Sequence, residues 1–266
     1  MDWFFTFTWE ESSLVALFLL AAFSFIAGFI DAVVGGGGLI VVPYLLIAYP
    51  KTPLPFLFGT NKLAALSGTS VAAVRYTRKI KFDYPLLIFI SVVAFAASFT
   101  GAGLVSRLNS EMLKPFILIV LVVTAVYTFT KKDFGVSETK QLSRHQQFLF
   151  ASFFSVLIGF YDGFFGPGTG SFFVLAFVAV MGFDFLKASA YSKLVNCITN
   201  ISALMVFIKN GQCVYQLALW MAVFNMAGSF TGSSLALKKG NIFIRKVFLF
   251  IVSLLILKFG WDLFSN

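Results

Sequence analysis

Apolar runs of bilayer-spanning length recur along the whole chain, and they leave few folds open to it. Runs at 13–34, 56–75, 84–106, 113–130, 147–165, 188–208, 215–237 and 246–264 approach the ~20 residues a helix needs to cross about 30 Å of hydrocarbon. In lipid, every backbone N–H and C=O must be satisfied within the protein, so runs of this length predict helices. Two further apolar pieces, 39–49 and 171–182, are too short to cross unaided, and each follows a glycine cluster. They predict half-helices or re-entrant arms. The expected fold is an all-α membrane protein with about eight spanning helices and two short half-helices after glycine breaks.

Composition narrows the function classes. With 59% apolar and 12% charged residues and a mean hydropathy of +0.92, the chain cannot be an ordinary soluble domain. Its 36 Phe would leave large apolar patches in water but suit contact with acyl chains. The net charge of +9 does not indicate nucleic acid, because Lys and Arg lie in short clusters between apolar runs, as membrane topology signals do. His145 is the sole histidine and sits in a polar stretch, while Cys197 and Cys213 have neither disulfide nor zinc-site spacing. Neither glycine cluster continues into Gly-Lys-Ser/Thr, and there is no Gly-x-Ser-x-Gly or His-Glu-x-x-His motif. The chain is therefore expected to be no enzyme and to need no cofactor or metal. Asp2, Glu10 and Glu11 replace a basic leader, so the first apolar run is expected to stay as a span.

A shift of 131 positions aligns 28–104 with 159–235 without a gap. Eighteen of the 77 positions are identical, against roughly six expected from so biased a composition. Gly28-Phe29-x-Asp31 matches Gly159-Phe160-x-Asp162, Gly35-x-Gly37 matches Gly166-x-Gly168, and Lys62-Leu63 matches Lys193-Leu194. Ser98-Phe99-Thr100-Gly101 matches Ser229-Phe230-Thr231-Gly232. The expected organisation is a first repeat at 1–130, a basic cytoplasmic linker at 131–146 and a second repeat at 147–266.

Charge orients the halves. Arg75, Arg78, Lys79 and Lys81 follow a helix whose second-half counterpart is followed by Lys209, whereas Lys238, Lys239, Arg245 and Lys246 crowd the next loop of the second half. The positive-inside rule places these two clusters and the linker in the cytoplasm, and both termini outside. The repeats are then inverted, provided each short arm completes a return passage. Secondary transporters commonly have this architecture, with substrate near the midplane at the repeat interface.

Gly35, Gly36, Gly37 and Gly38 follow one apolar helix, and Gly166-Pro167-Gly168-Thr169-Gly170 occupies the matching place in the other half. Glycine tolerates any backbone region and proline lacks a donor, so each cluster should break its helix and start another at Leu39 or Ser171. The free N–H groups and positive dipole end of a new helix favour an anion. The alternative is close helix packing by small residues, the reading taken for Gly228-x-x-x-Gly232; such faces would also serve a homodimer. Asp31 and Asp162 lie four residues before the breaks in apolar surroundings, where a charge costs about 2.5–3.5 kcal/mol and calls for a partner. Lys62 and Lys193 are the candidate partners. Asn61 stands beside the first lysine, and Asn196 and Asn200 follow the second, adding amide donors and acceptors. As an anion pocket, the lysines would attract substrate and an aspartate would carry a coupling proton or cation. As plain structure, the same residues would form ion pairs or snorkel to the interface.

Gly28-Phe29-Ile30-Asp31 through Gly38, Gly59-Thr60-Asn61-Lys62-Leu63, Gly159 through Pro167, and Lys193-Leu194-x-Asn196-x-x-x-Asn200 resemble the TauE/SafE family of sulfite-exporter-type membrane proteins. The likeness spans nearly the whole chain and is closest to the family's bacterial inner-membrane branch. It implies a multi-pass transporter in the bacterial inner membrane, with sulfite, sulfoacetate or a related organosulfur anion as cargo. Two other readings stay open on the residues themselves. One is a cation carrier using Asp31 and Asp162, and the other is a membrane assembly subunit with no transport of its own.

Overall fold

The computed structural model describes residues 14–107 and 142–264. The expected span at 113–130 and most of the 131–146 linker lie outside the described residues. The described residues form eight helical elements: α1 (Leu14–Val34), α2 (Gly38–Ala48), α3 (Leu54–Thr77), α4 (Tyr84–Val105), α5 (Arg144–Phe164), α6 (Thr169–Ala179), α7 (Phe185–Lys209) and α8 (Tyr215–Phe264). α8 joins the two expected spans 215–237 and 246–264 through a bend at Gly240, whose φ of 68° is open to glycine at little cost. The half-helices α2 and α6 follow the glycine clusters, starting at Gly38 and Thr169, slightly ahead of the expected Leu39 and Ser171.

Local chemistry sets the other boundaries. Asp83 caps α4 by accepting from Leu86 N at 3.3 Å, and Asp184 caps α7 by accepting from Lys187 N at 2.8 Å. Ser143 and Gln146 form a reciprocal capping box at the start of α5. Among the described helices, α1, α4, α5 and α7 are long and apolar enough to cross a membrane. Of the other runs read from sequence, 113–130 lies outside the described residues, and 215–237 and 246–264 fall within α8. α3 has the length, 24 residues, but its inner face carries buried Asn61, Lys62 and Thr69. Its polarity is the price of carrying the candidate site.

The helices pair across the sequence halves. α1 packs along α8, with Gly28 against the Asn225 carbonyl, Gly228 against that of Phe25 and Gly232 against that of Phe29. α5 packs along α4 in the same manner, with Gly159 against Ala94, Gly101 against the Phe160 carbonyl and Gly163 against that of Ser98. A Cβ at any of these glycines would collide with backbone, so small-residue faces here bring helix axes together. The packing reading of Gly228-x-x-x-Gly232 is thus accounted for within the chain.

Two apolar clusters flank the centre. The early α3 residues Leu54, Leu57 and Phe58 share one cluster with the late α7 residues Ala203, Val206 and Phe207. Ala72 and Tyr76, late in α3, share the other with Phe185 and Ala188, early in α7. α3 and α7 therefore run antiparallel. Outward-facing positions are apolar instead, among them Phe18, Val92, Phe153, Leu219 and Val223, each more than half exposed. Lysine and asparagine inside with phenylalanine outside is an arrangement suited to lipid.

The basic clusters gather at one end. Arg144 makes a bidentate ion pair with Asp83, Asp83 N donates to Tyr191 Oη at 2.7 Å, and Leu186 N donates to Asn241 Oδ1 at 2.8 Å. These bonds bring together the α3–α4 loop, the starts of α5 and α7, and the α8 bend.

Candidate functional site

The two helix breaks meet each other. Gly35 and Gly36 adopt φ of 80° and 91°, and Gly166 and Gly168 adopt 91° and 89°, values that strain any residue with a Cβ. A Cβ on Gly35 would strike the Gly170 carbonyl carbon and the Ser171 nitrogen, so the two breaks touch backbone to backbone. Ser171 Oγ donates to Val34 O at 3.2 Å, Ser189 Oγ to Val33 O at 3.0 Å and Ser192 Oγ to Gly170 O at 2.8 Å. These hydroxyls satisfy carbonyls that lie where the helices are interrupted.

Around this junction the charged residues pair crosswise. Lys62 Nζ lies 2.7 Å from Asp162 Oδ2, with the two side chains 4% and 1% exposed. Lys193 Nζ lies 3.0 Å from Asp31 Oδ2, with the two side chains 0% and 14% exposed. Each lysine thus pairs with the aspartate of the other sequence half. Of the two arrangements the structural alternative allowed, the lysines form ion pairs and do not snorkel to an interface. Lys62 Nζ also donates to Asn200 Oδ1 at 3.0 Å, and Thr69 Oγ1 donates to Asp31 Oδ2 at 3.1 Å.

A cavity of about 30 Å³ lies within this arrangement, room for about one or two waters. α3 contributes Asn61, Lys62 and Ala65 to its wall; α7 contributes Asn196 and Asn200; α1 and α5 contribute Asp31 and Asp162. Gly36, Gly38, Gly166, Gly168, Thr169 and Gly170 complete it from the breaks. Most of the residues singled out in the sequence therefore converge on one wall. Three do not reach it. Gly35 is consumed by the contact with Gly170, Gly37 packs against Ala27 and Asp31, and Lys193 lies behind Gly170, 3.2 Å from where a Cβ would stand.

The helix starts offer fewer free amides than expected. The N–H groups of Leu39, Ile40 and Thr169 donate to Gly36, Gly37 and Gly166 carbonyls inside the turns. Sequence reasoning also passed over Thr69 and Ala65, which precede Asn200 and Asn196 by the repeat offset of 131 positions. Carrying the offset through every candidate would have found both.

Comparison with known proteins identifies the family. The family profile "Sulfite exporter TauE/SafE" matches residues 20–259. The chain belongs to the TauE/SafE family. A "Probable membrane transporter protein ORF9" of Sinorhizobium sp is 39% identical over 241 residues, covering 91% of this chain and 90% of that protein. "Probable membrane transporter protein YfcA" of Escherichia coli K12 is 33% identical over 258 residues, covering 96% and 94%. A probable membrane transporter protein of Haemophilus influenzae is 33% identical over 246 residues, covering 92% and 95%. No solved structure shows a significant match. This TauE/SafE member is a multi-pass membrane transporter and not an enzyme.

Proposed function

We propose that this TauE/SafE protein is a secondary carrier of a small anion, sulfite, a sulfonate or a related organosulfur anion, bound where its two inverted repeats meet. The observation that carries this reading is the convergence of Lys62, Asn61, Asn196 and Asn200 on one small cavity between the two helix breaks. An ammonium group and amide donors in a water-poor site can replace the hydration shell of an oxyanion. Substrate-binding roles are assigned to Gly36, Gly38, Asn61, Lys62, Gly166, Gly168, Thr169, Gly170, Asn196 and Asn200, which line the cavity, while Gly35, Gly37 and Lys193 stand behind its wall. Of the two aspartates, Asp162 serves coupling and Asp31 holds Lys193.

A cation carrier has less support, because both carboxylates already face an ammonium group. The inverted-repeat reading, 1–130 against 147–266, is supported by the antiparallel course of α3 and α7 and by the crosswise ion pairs. Collection of the basic clusters at one end supports a cytoplasmic face there in a bacterial inner membrane, with both termini opposite. The test is flux in proteoliposomes: saturable uptake of labelled sulfite should depend on protein and collapse in Lys62→Ala. Uptake that is unchanged in Lys62→Ala would refute the assignment.

A further inference from the structure

The crosswise pairs look equivalent in sequence, but their surroundings differ in ways that bear on coupling. We infer that Lys62–Asp162 is the exchangeable pair, in which a monoanion replaces a protonated Asp162 on the Lys62 ammonium, whereas Lys193–Asp31 is a fixed clasp between α7 and α1. This rests on the anion-carrier reading above and divides the labour within its site.

Access separates the lysines first. Lys62 lines the cavity, while Lys193 is fully buried behind Gly170 and absent from the wall. An anion entering the cavity meets Lys62.

Residual partners separate them next. When Asp162 lets go, Lys62 keeps its hydrogen bond to Asn200 Oδ1 at 3.0 Å. Lys193 Nζ makes no hydrogen bond of good geometry among the described residues and has Asp31 at 3.0 Å as its counter-charge. Removing Asp31 would strand a fully buried ammonium, which is strongly unfavourable. Thr69 further holds Asp31 by donating to the same carboxylate oxygen at 3.1 Å. Asp162 Oδ2 has no such second donor among the described residues, only Lys62 at 2.7 Å. The amides agree with this division, since Asn196 and Asn200 face the cavity where the equivalent α3 positions carry Ala65 and Thr69.

Charge balance then fixes the coupling. Two lysines and two aspartates sum to zero, and adding a monoanion among these buried pairs would leave one uncompensated negative charge in low dielectric. A proton taken up by the Asp162 carboxylate from the side the anion enters restores neutrality. That proton leaves on the other side when the anion departs and Asp162 returns to Lys62. The charged groups that share the cavity with Asp162 are Lys62 from α3 and Asp31 from α1, with Lys193 of α7 set back behind Gly170. On its own helix Tyr161 is spent, donating its hydroxyl to Pro167 O at 2.6 Å. α4 and α6 carry no charged side chain. Transport of a monoanion should therefore move one proton with it and no net charge.

The test uses the full chain in proteoliposomes containing a trapped pH dye, with sulfite and with methanesulfonate, which stays a monoanion so that any coupled proton is the protein's. Expected is anion uptake with internal acidification, unaltered when valinomycin and potassium set the membrane potential. Asp162→Asn should abolish the acidification. Asp31→Asn/Lys193→Met should retain transport within about threefold, whereas Asp162→Asn/Lys62→Met should fold yet lose transport by about tenfold or more. Wild-type flux that follows the membrane potential and moves no proton would overturn the inference even if every variant misfolded. Retention in the Lys62 double variant with loss in a folded Lys193 double variant would overturn it too. Absence of wild-type flux for both anions would instead sink the anion-carrier reading, and this inference with it.

Discussion

Replacing Gly35 by alanine tests whether the two helix breaks touch as described. Gly35 has a φ of 80°, and a methyl group there would land on the carbonyl carbon of Gly170 and the nitrogen of Ser171. Backbone cannot swing aside as a side-chain end can. The left-handed conformation costs an alanine about 1–2 kcal/mol, and forcing extra volume into a packed site costs about 1–3 kcal/mol more. Together these give about 2–5 kcal/mol, or a fall in Tm of about 4–20 °C at ~2–4 °C per kcal/mol. Gly166→Ala is the matched control. Its φ is 91°, but its methyl would meet Lys62 Nζ at 3.1 Å and Asp162 O at 3.2 Å and not backbone at 2.2 Å, so it should show the conformational cost with less of the packing cost. The buried Cys213 thiol supports the assay, as a dye that fluoresces on reaction with thiols reports unfolding in detergent. Gly35→Ala should melt clearly below Gly166→Ala, and Gly166→Ala should do the greater relative damage to anion binding. Equal melting temperatures for the two variants, or a Gly35→Ala protein as stable as wild type, would refute the backbone contact.

Three further outcomes follow from the same contacts. Lys62→Met leaves Asp162 buried without its counter-charge and should destabilise by about 3–5 kcal/mol at neutral pH; adding Asp162→Asn should recover most of it in a double-mutant melting series. Asp83 is held below the usual carboxylate range, first by its hydrogen bond from Arg144, while partial burial opposes this. A lowered folded value means that the stabilisation is present above the ordinary carboxylate value and is lost as pH falls through the folded one. Melting curves from neutral to acid pH should show that loss in wild type and not in Asp83→Ala, which should also lose about 0.5–2 kcal/mol for its helix cap. Ser70 Oγ on α3 lies 3.2 Å from Cys197 Sγ on α7, so Ser70→Cys should form a disulfide with Cys197 on oxidation. Both helices wall the cavity, so tying α3 to α7 should block uptake until a reductant is added.

Much of this arrangement was legible in the sequence because lipid makes the coding blunt. A run such as 84–106 has no alternative to a helix, and it appears as Tyr84–Val105. Glycine clusters after Asp31 and Asp162 announced breaks, since consecutive residues without Cβ in a spanning helix are costly unless the chain must turn there. The partner of each charge was less legible. Asp31 and Asp162 each had two candidate lysines, and the choice depends on α1 lying along α8 and α5 along α4, a long-range packing that residue spacing does not reveal. Lys193 illustrates the same limit: it holds the repeat position of Lys62, yet it is sealed behind Gly170 while Lys62 lines the cavity. The bend at Gly240 was hidden for another reason, because a basic stretch between apolar runs reads as a loop whether or not the helix continues through it.

The crosswise pairing ties the ion pairs to the way the helices are grouped. α1 and α3 both pack on α8, while α5 and α7 both pack on α4, so the main contact between the two groups is α3 against α7. Asp31 and Lys62 belong to the first group, Asp162 and Lys193 to the second. Each ion pair therefore bridges the groups, and they are bridged in opposite senses: one group gives the ammonium in one pair and the carboxylate in the other. Parting the groups along α3 and α7, the direct way to enlarge a cavity walled by both, strains both pairs at once. Neither pair would resist that motion had each lysine met the aspartate of its own group. A carrier built this way stays shut while both pairs are intact, and a substrate that takes over the Lys62 ammonium removes one of the two restraints. On the proposed mechanism, binding and opening would be linked through the same atoms, and a proton on Asp162 would keep the displaced carboxylate from pulling the groups back together.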